Sequence, residues 1–91
     1  MPEVSISIPT MLRDCTGGER TVRLEATSAK DALRHLFERY PLLRVHLLEK
    51  DKLRPHLVIL CDGNPIHPLE GDDLTFKQSQ DIHIMQAVSG G

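Results

Sequence analysis

Two glycines, Gly90 and Gly91, stand at the end of the sequence and carry its clearest chemical signal. Neither has a Cβ atom, so this segment can enter a narrow channel and take backbone angles that are closed to other residues. A C-terminal carboxylate is ionised at neutral pH, because its ordinary pKa is about 3.3 to 3.7. Its oxygen can attack the α-phosphate of a nucleotide and form an acyl adenylate. The alternative interpretation is that these residues form an inert terminus.

The residues before the glycines predict how the carboxylate is presented. A strand is expected over residues 82–87, because inward and outward side chains alternate there. Val88 and Ser89 follow, and with the two glycines they form a flexible tail. At about 3.3 to 3.6 Å per residue, this tail reaches about 13 Å beyond the domain. We therefore expect one domain over residues 1–87 and a tail over residues 88–91.

Length and composition exclude several classes of protein. A chain of 91 residues supports one core without metal or disulfide staples. No apolar run approaches the 18 or so residues that span a membrane, and no signal peptide is visible, so we expect a cytoplasmic protein. A net charge of -2 and only three aromatic residues argue against a nucleic-acid partner.

The chain has no recognisable catalytic or metal-binding motif. Cys15 and Cys61 do not have the spacing of a metal or redox pair, and Cys61 is expected to be buried within an apolar strand. The five histidines share no ligand spacing, so no metal site is expected. A Gly-rich phosphate loop and a Ser/His/Asp arrangement are also missing from the sequence, and we do not expect an enzyme.

The first part of the chain predicts an antiparallel hairpin. Val4, Ile6 and Ile8 alternate with polar residues, and the proline at position 9 closes that strand. Residues 21–24 alternate again after the turn signal at residues 16–18. The sequence leaves open whether residues 11–15 continue the ladder or loop out.

A helix is predicted after Ser28, a suitable N-cap with Asp31 three residues later. Arg34 and Arg39 lie outside its apolar stripe and are expected to be solvated. Pro41 ends this helix, and another helical turn before a polar loop is possible over residues 42–48. The stripe itself comprises Ala29, Ala32, Leu33, Leu36, Phe37 and Tyr40.

The second half predicts further strands. Residues 57–61 are apolar on both faces, and Asp62-Gly63 is a tight-turn signal that returns the chain. A long connection over residues 69–80 contains two expected core anchors, Leu74 and Phe76, before the closing strand. Two strands, a helix and two or more strands give an α+β domain in the β-grasp order, with a mixed sheet packed on one main helix.

One helix covers only one face of a sheet. Val58, Leu60, His83 and Met85 must then point away from it, and we call this group the outer patch. An exposed apolar group beside the tail predicts a partner-binding surface. The alternative is that the long connection folds over part of it.

Together, these features resemble the ubiquitin-like sulfur carriers of the ThiS/MoaD family, which are small β-grasp proteins ending in Gly-Gly. The segment Ser7–Arg13, followed by Thr16-Gly17-Gly18, resembles the opening of the CysO-type carriers within that family. The closing segment Ala87–Gly91 resembles the same group, and His83 falls where ubiquitin-like proteins often expose a recognition residue.

The resemblance implies a carrier rather than a catalyst. Its Gly91 carboxylate would be adenylated with ATP by an E1-like enzyme of the ThiF/MoeB type and converted to a thiocarboxylate. The carrier itself would bind no cofactor, and it would deliver sulfur to an enzyme such as a pyridoxal-phosphate-dependent cysteine synthase homologue. The alternatives are the small subunit of a molybdopterin synthase, a ubiquitin-like modifier joined to lysines, and a β-grasp binding module with an inert tail.

Overall fold

The structure, a computed structural model, describes residues 2–71 and 75–86. The strands are β1 (Glu3–Ser7), β2 (Thr21–Glu25), β3 (Leu48–Glu49), β4 (Lys52–Leu53), β5 (Leu57–Cys61), β6 (Asn64–Ile66) and β7 (Gln80–Gln86). Five of them form one sheet in the order β2-β1-β7-β5-β6, and β3 and β4 form a separate ribbon. The α-helices are α1 (Ala29–Arg39) and α2 (Pro41–Leu47). β1 and β7 are parallel and the other sheet neighbours are antiparallel, which gives the mixed sheet of the β-grasp fold.

The predicted N-terminal hairpin is confirmed. β1 pairs antiparallel with β2, and Val4, Ile6 and Ile8 are all buried. The segment between the strands, left open by the sequence, is a 3₁₀ helix over Thr10–Thr16 rather than an extension of the ladder. Gly17 ends it in the left-handed conformation with φ of 67°, which glycine adopts without steric cost.

Helix α1 begins and packs as the sequence predicts. The Ser28 hydroxyl accepts a hydrogen bond from the backbone N–H of Asp31 at 3.1 Å. The Asp31 carboxylate in turn accepts from the backbone N–H of Thr27 at 3.0 Å, one residue earlier than in a standard capping box. The stripe faces the sheet, with four of its members buried in the core: Ala29, Ala32, Leu33 and Leu36.

The Asp31 carboxylate is expected to stabilise the fold. The Thr27 N–H and then the Arg34 guanidinium, whose Nη2 donates at 2.7 Å, lower the pKa of Asp31 from 3.8 to about 2. A lowered folded-state pKa contributes stability above pH 4 that is lost as the pH falls toward 2. Asp31→Asn should therefore lower the free energy of unfolding by about 1 kcal/mol at neutral pH.

Urea unfolding of the two proteins between pH 7 and pH 3 checks this prediction. The stability difference should be constant above about pH 4 and should shrink below it. Glu38→Gln is a control on the same helix, since Glu38 and Arg34 are 3.5 Å apart and both side chains are well exposed. A difference that does not change with pH would show that the charge of Asp31 is not the cause.

The possible helical turn after Pro41 is present as α2, with the proline at its first position. Leu43 and Leu47 of α2 are buried in the core. The polar loop expected after it is in part the β3–β4 ribbon, in which Leu48 pairs with Leu53. Lys50 and Asp51 form its turn with φ of 53° and 63°, so a turn without glycine concealed this hairpin in the sequence.

The last three sheet strands follow their predicted pattern. Asp62 and Gly63 both have positive φ, as the tight turn between β5 and β6 requires. β7 lies between β1 and β5 and buries Ile82 and Ile84 on the helix side. Phe76 is also buried in this core, as predicted, while Leu74 lies outside the described residues.

Candidate functional site

The described part of the chain ends at Gln86 of β7, a central strand, and the predicted tail follows in the sequence. Gln86, the last residue of β7, pairs with Leu57 at the start of β5. The adenylation and tail positions predicted from the sequence, Val88, Ser89, Gly90 and Gly91, lie outside the described residues. Their attachment point is therefore defined by β7, which its neighbours hold on both sides.

The four residues of the outer patch lie side by side. Val58 pairs with Met85 across β5 and β7, and Leu60 pairs with His83. Side chains of directly opposed residues on one sheet face are neighbours, so the four form one continuous surface. Met85 is 50% exposed and His83 is exposed, whereas the two β5 residues are half-buried.

The two sheet faces differ as the sequence predicts. The residues that alternate with the outer patch, such as Ile59 and Ile84, are buried in the core with the α1 stripe. In the described part of the long connection, Phe76 joins that same core. The part at residues 72–74 lies outside the described residues, so the predicted role of the outer patch stays a prediction.

The structure adds Met11 to the surface at the C-terminal end of β7. Met11 is 64% exposed on the 3₁₀ helix, and it lines an open depression of about 480 Å³ together with Met85 and Gln86. Methionine fits irregular apolar partners because its side chain is unbranched and polarizable. Sequence patterning did not identify Met11, since the segment around it shows neither helical nor strand periodicity.

The turn after β5 is tied to β7 beside the outer patch. Asp62 donates its N–H to the Asp81 carbonyl at 2.9 Å, and its carboxylate accepts from the Asp81 N–H at 3.1 Å. Two hydrogen bonds therefore hold this end of the β5–β6 hairpin to β7. Asp81 and Glu70 are exposed, and such acids can steer basic partner surfaces, although scattered surface acids more often only keep a protein solvated. Asp72 and Asp73 lie outside the described residues.

The two cysteines are both half-buried and packed against the core. Cys61 is thus less buried than predicted, because it is the last residue of β5 and an exposed turn follows it. Burial, followed by the charges of Asp62 and Asp81, raises the pKa of the Cys61 thiol. Its Sγ donates to Gln80 Oε1 at 3.3 Å. A protonated thiol of this kind is a weak nucleophile at neutral pH.

Within residues 2–71 and 75–86, no group of three or more histidine, cysteine, aspartate or glutamate side chains could hold a metal ion. In those same ranges, the helices are all too short or too polar to cross a membrane.

Comparisons with known proteins agree with this geometry. A model described as the ThiS family matches residues 6–91. No curated protein matches the chain.

Solved structures match over almost the whole chain. The solution structure of small archaeal modifier protein 1 (SAMP1) from Methanosarcina acetivorans has 33% identity and a TM-score of 0.79, covering 100% of this chain and 98% of that one. A chain in the crystal structure of the Amycolatopsis orientalis BexX/CysO complex has 26% identity and a TM-score of 0.79, with coverage of 97% and 99%. Mycobacterium tuberculosis CysO, at 23% identity and a TM-score of 0.78, covers 93% of this chain and 99% of its own and supports the fold.

Proposed function

The chain belongs to the ThiS family, and from that premise we propose that it carries sulfur as a thiocarboxylate on Gly91. The observation that supports this most directly is the extent of the family match, which runs through Gly90 to Gly91. The ubiquitin-like sulfur-carrier fold supports it as well, since β7 delivers the chain to the tail from the middle of the sheet.

The proposed chemistry takes place in a partner's active site. An oxygen of the Gly91 carboxylate attacks the α-phosphate of ATP, and pyrophosphate leaves. Hydrosulfide supplied by a sulfur donor then attacks the acyl carbon, and AMP leaves with the former carboxylate oxygen. An acyl adenylate is vulnerable to water, so an E1-like enzyme of the ThiF/MoeB type has to enclose it. ATP is consumed by that enzyme, and the carrier itself holds no cofactor.

Docking and chemistry use different parts of the carrier in this proposal. The outer patch docks on the activating enzyme, with Met11 at its border. The tail from Val88 to Gly91 then extends into the nucleotide pocket, where the absence of side chains at the two glycines avoids obstruction. Because the domain is docked outside the nucleotide pocket, the attack of the Gly91 carboxylate on ATP becomes an effectively intramolecular step.

We further propose that the acceptor is a pyridoxal-phosphate-dependent cysteine synthase homologue. The resemblance of the segment Ser7–Arg13 to the CysO-type carriers supports this choice. The similarity to a chain of the BexX/CysO complex supports the more general point that the carrier docks on a partner protein. The thiocarboxylate supplies sulfur as an anionic nucleophile, and the acceptor supplies an electrophilic carbon on its cofactor-bound substrate.

Protein modification is the second candidate, because SAMP1, a modifier by its name, is 33% identical over nearly its full length. The same acyl adenylate, or a thioester derived from it, would then be attacked by a lysine amine to give an isopeptide bond. Lysine-linked adducts of the chain in cell extracts, identified by peptide mass spectrometry, would favour this candidate. Turnover of the free thiocarboxylate by a cysteine synthase homologue would favour the first.

The sulfur is expected on the terminus and not on a thiol. A Cys15→Ser, Cys61→Ala double variant should release pyrophosphate from ATP with its activating enzyme at the wild-type rate, and it should load sulfur equally. Cys61 has a raised pKa, and both thiols are half-buried against the core. The chain lacking Gly91 is the negative control. Loss of loading in a double variant with a native circular dichroism spectrum would place the chemistry on a cysteine.

A further inference from the structure

A second surface, away from the outer patch, has the features of a peptide-binding site. An open groove of about 620 Å³ runs along β2 and reaches the C-terminal end of α1. Among its lining residues are Arg20, Arg23 and Arg39. We propose that this groove binds an extended acidic segment of a partner protein, which adds to β2 as a further strand.

The three guanidinium groups are available to an anion. Among the residues that the structure describes, no carboxylate forms an ion pair with Arg20, Arg23 or Arg39. Three other arginines are already in ion pairs: Arg34 with Asp31, Arg44 with Asp51, and Arg54 with Glu49. The groove therefore combines three exposed positive charges, with Glu19 as its one lining acid.

The backbone of β2 has a free edge in this groove. β2 ends the sheet, and no described strand pairs with its outer side. At its two ends, Ile8 N–H donates to the Arg20 carbonyl at 2.8 Å, and Ala26 N–H donates to the Pro2 carbonyl at 3.1 Å. Alternation of the antiparallel ladder then directs the N–H and C=O groups of Thr21, Arg23 and Glu25 away from β1.

Arg39 already forms a hydrogen bond with the backbone at this edge. Its Nη1 donates to the Arg23 carbonyl at 3.3 Å. A carbonyl oxygen has two lone pairs, so the N–H of an added strand can donate to the same atom. Peptides that extend a sheet in this way gain affinity from the main-chain bonds and specificity from their alternate side chains.

The arginines lie on both sides of the edge. Val22 is buried on the helix side of the sheet. Arg20 lies two residues earlier on the same ladder, so it belongs to that side as well. Arg39, at the end of α1, is also on the helix side. Arg23 belongs to the opposite face of the sheet. Successive side chains of an added strand alternate between those faces. Consecutive acidic residues in the peptide would therefore each meet a guanidinium group.

An acidic peptide fits this groove better than a nucleic acid does. Tyr40 is its one aromatic side chain, and the Arg39 guanidinium already lies 5.7 Å from the centre of that ring. Single-stranded nucleic acids depend on aromatic platforms for base stacking. They also make no use of the unpaired N–H and C=O groups of a strand edge. The groove is separated from β7 by β1, so this proposal does not rest on the proposed sulfur chemistry.

Fluorescence anisotropy with a labelled, end-capped peptide of the sequence Glu-Glu-Val-Glu-Glu-Val-Glu-Glu tests the proposal. Arg20→Gln with Arg23→Gln should weaken binding about fivefold or more, since two exposed ion pairs are lost. Lys52→Gln with Lys77→Gln removes the same charge from exposed positions outside the groove and should change the affinity less than about twofold. In NMR spectra, the peptide should shift the backbone amide signals of Thr21, Arg23 and Glu25.

Two competitors separate strand addition from general charge attraction. The same peptide with N-methyl groups on alternate residues cannot complete the ladder and should bind about fivefold more weakly or worse. An oligouridylate of equal length should compete weakly. Equal affinity of the methylated peptide, equal competition by the RNA, equal loss in the lysine control, or no peptide binding at millimolar concentration would each overturn the proposal.

Discussion

Replacing Leu60 with aspartate is expected to weaken binding to the activating enzyme by about 2 kcal/mol, or about thirtyfold in Kd. Leu60 belongs to the outer patch and has a strand on both sides, since it pairs with His83 of β7 and with Pro65 of β6. A central apolar anchor contributes more than its neighbours because the docked partner excludes water from it. The substitution also places an unpaired charge in the interface.

Isothermal titration calorimetry with an E1-like enzyme measures this effect. Leu60 faces away from the core cluster, so the circular dichroism spectrum should stay native. Leu42→Asp is the matched control, because Leu42 is 61% exposed on α2, whose Leu43 and Leu47 pack into the core on the side of the sheet opposite the outer patch. It adds the same charge and should leave the Kd within about twofold. Unchanged affinity of folded Leu60→Asp would place the docking surface elsewhere on the domain.

Replacing Gly90 with valine is expected to slow adenylation by about a hundredfold or more. A β-branched side chain widens the tail and restricts its backbone, so Gly91 cannot reach the α-phosphate in the required geometry. The domain still docks through the outer patch, so the Kd for the enzyme should change little. Pyrophosphate release from ATP measures the rate, and Ser89→Ala is a control that removes polarity without adding bulk. Adenylation of Gly90→Val at the wild-type rate would contradict passage through a narrow channel.

The sequence predicts the strands and their faces well because strand periodicity determines which side chains share a face. Val4 and Ile6, or Val58 and Leu60, are two residues apart and therefore point the same way. The pairing of Leu60 with His83 could not be derived in this manner. It depends on the register between β5 and β7, which a single strand does not specify.

Short elements without periodicity were less predictable. The 3₁₀ helix over Thr10–Thr16 has too few residues for an amphipathic pattern, so Met11 was not assigned to the surface at the end of β7. The β3–β4 ribbon has two-residue strands, and its turn at Lys50 and Asp51 lacks the glycine that usually marks a hairpin.

The groove along β2 could not be predicted from the sequence, because the residues that line it come from separate elements. Arg20 precedes β2, whereas Arg39 lies at the end of α1, and sequence analysis assigned Arg39 to a solvated helix face. The fold brings these side chains to one edge of the sheet. Charges that meet only through tertiary structure have no signature in local sequence spacing.

Intact-protein mass spectrometry of the chain after incubation with its activating enzyme, ATP and a sulfur donor tests the central claim most directly. The proposed function predicts a mass increase equal to the replacement of one oxygen by sulfur, which persists after thiol reduction and is confined to the C-terminal peptide. The chain without Gly91 should show no increase. Sulfur retained by that shortened chain, or an unchanged mass of the full chain with an enzyme that loads another ThiS-family carrier, would contradict the proposal.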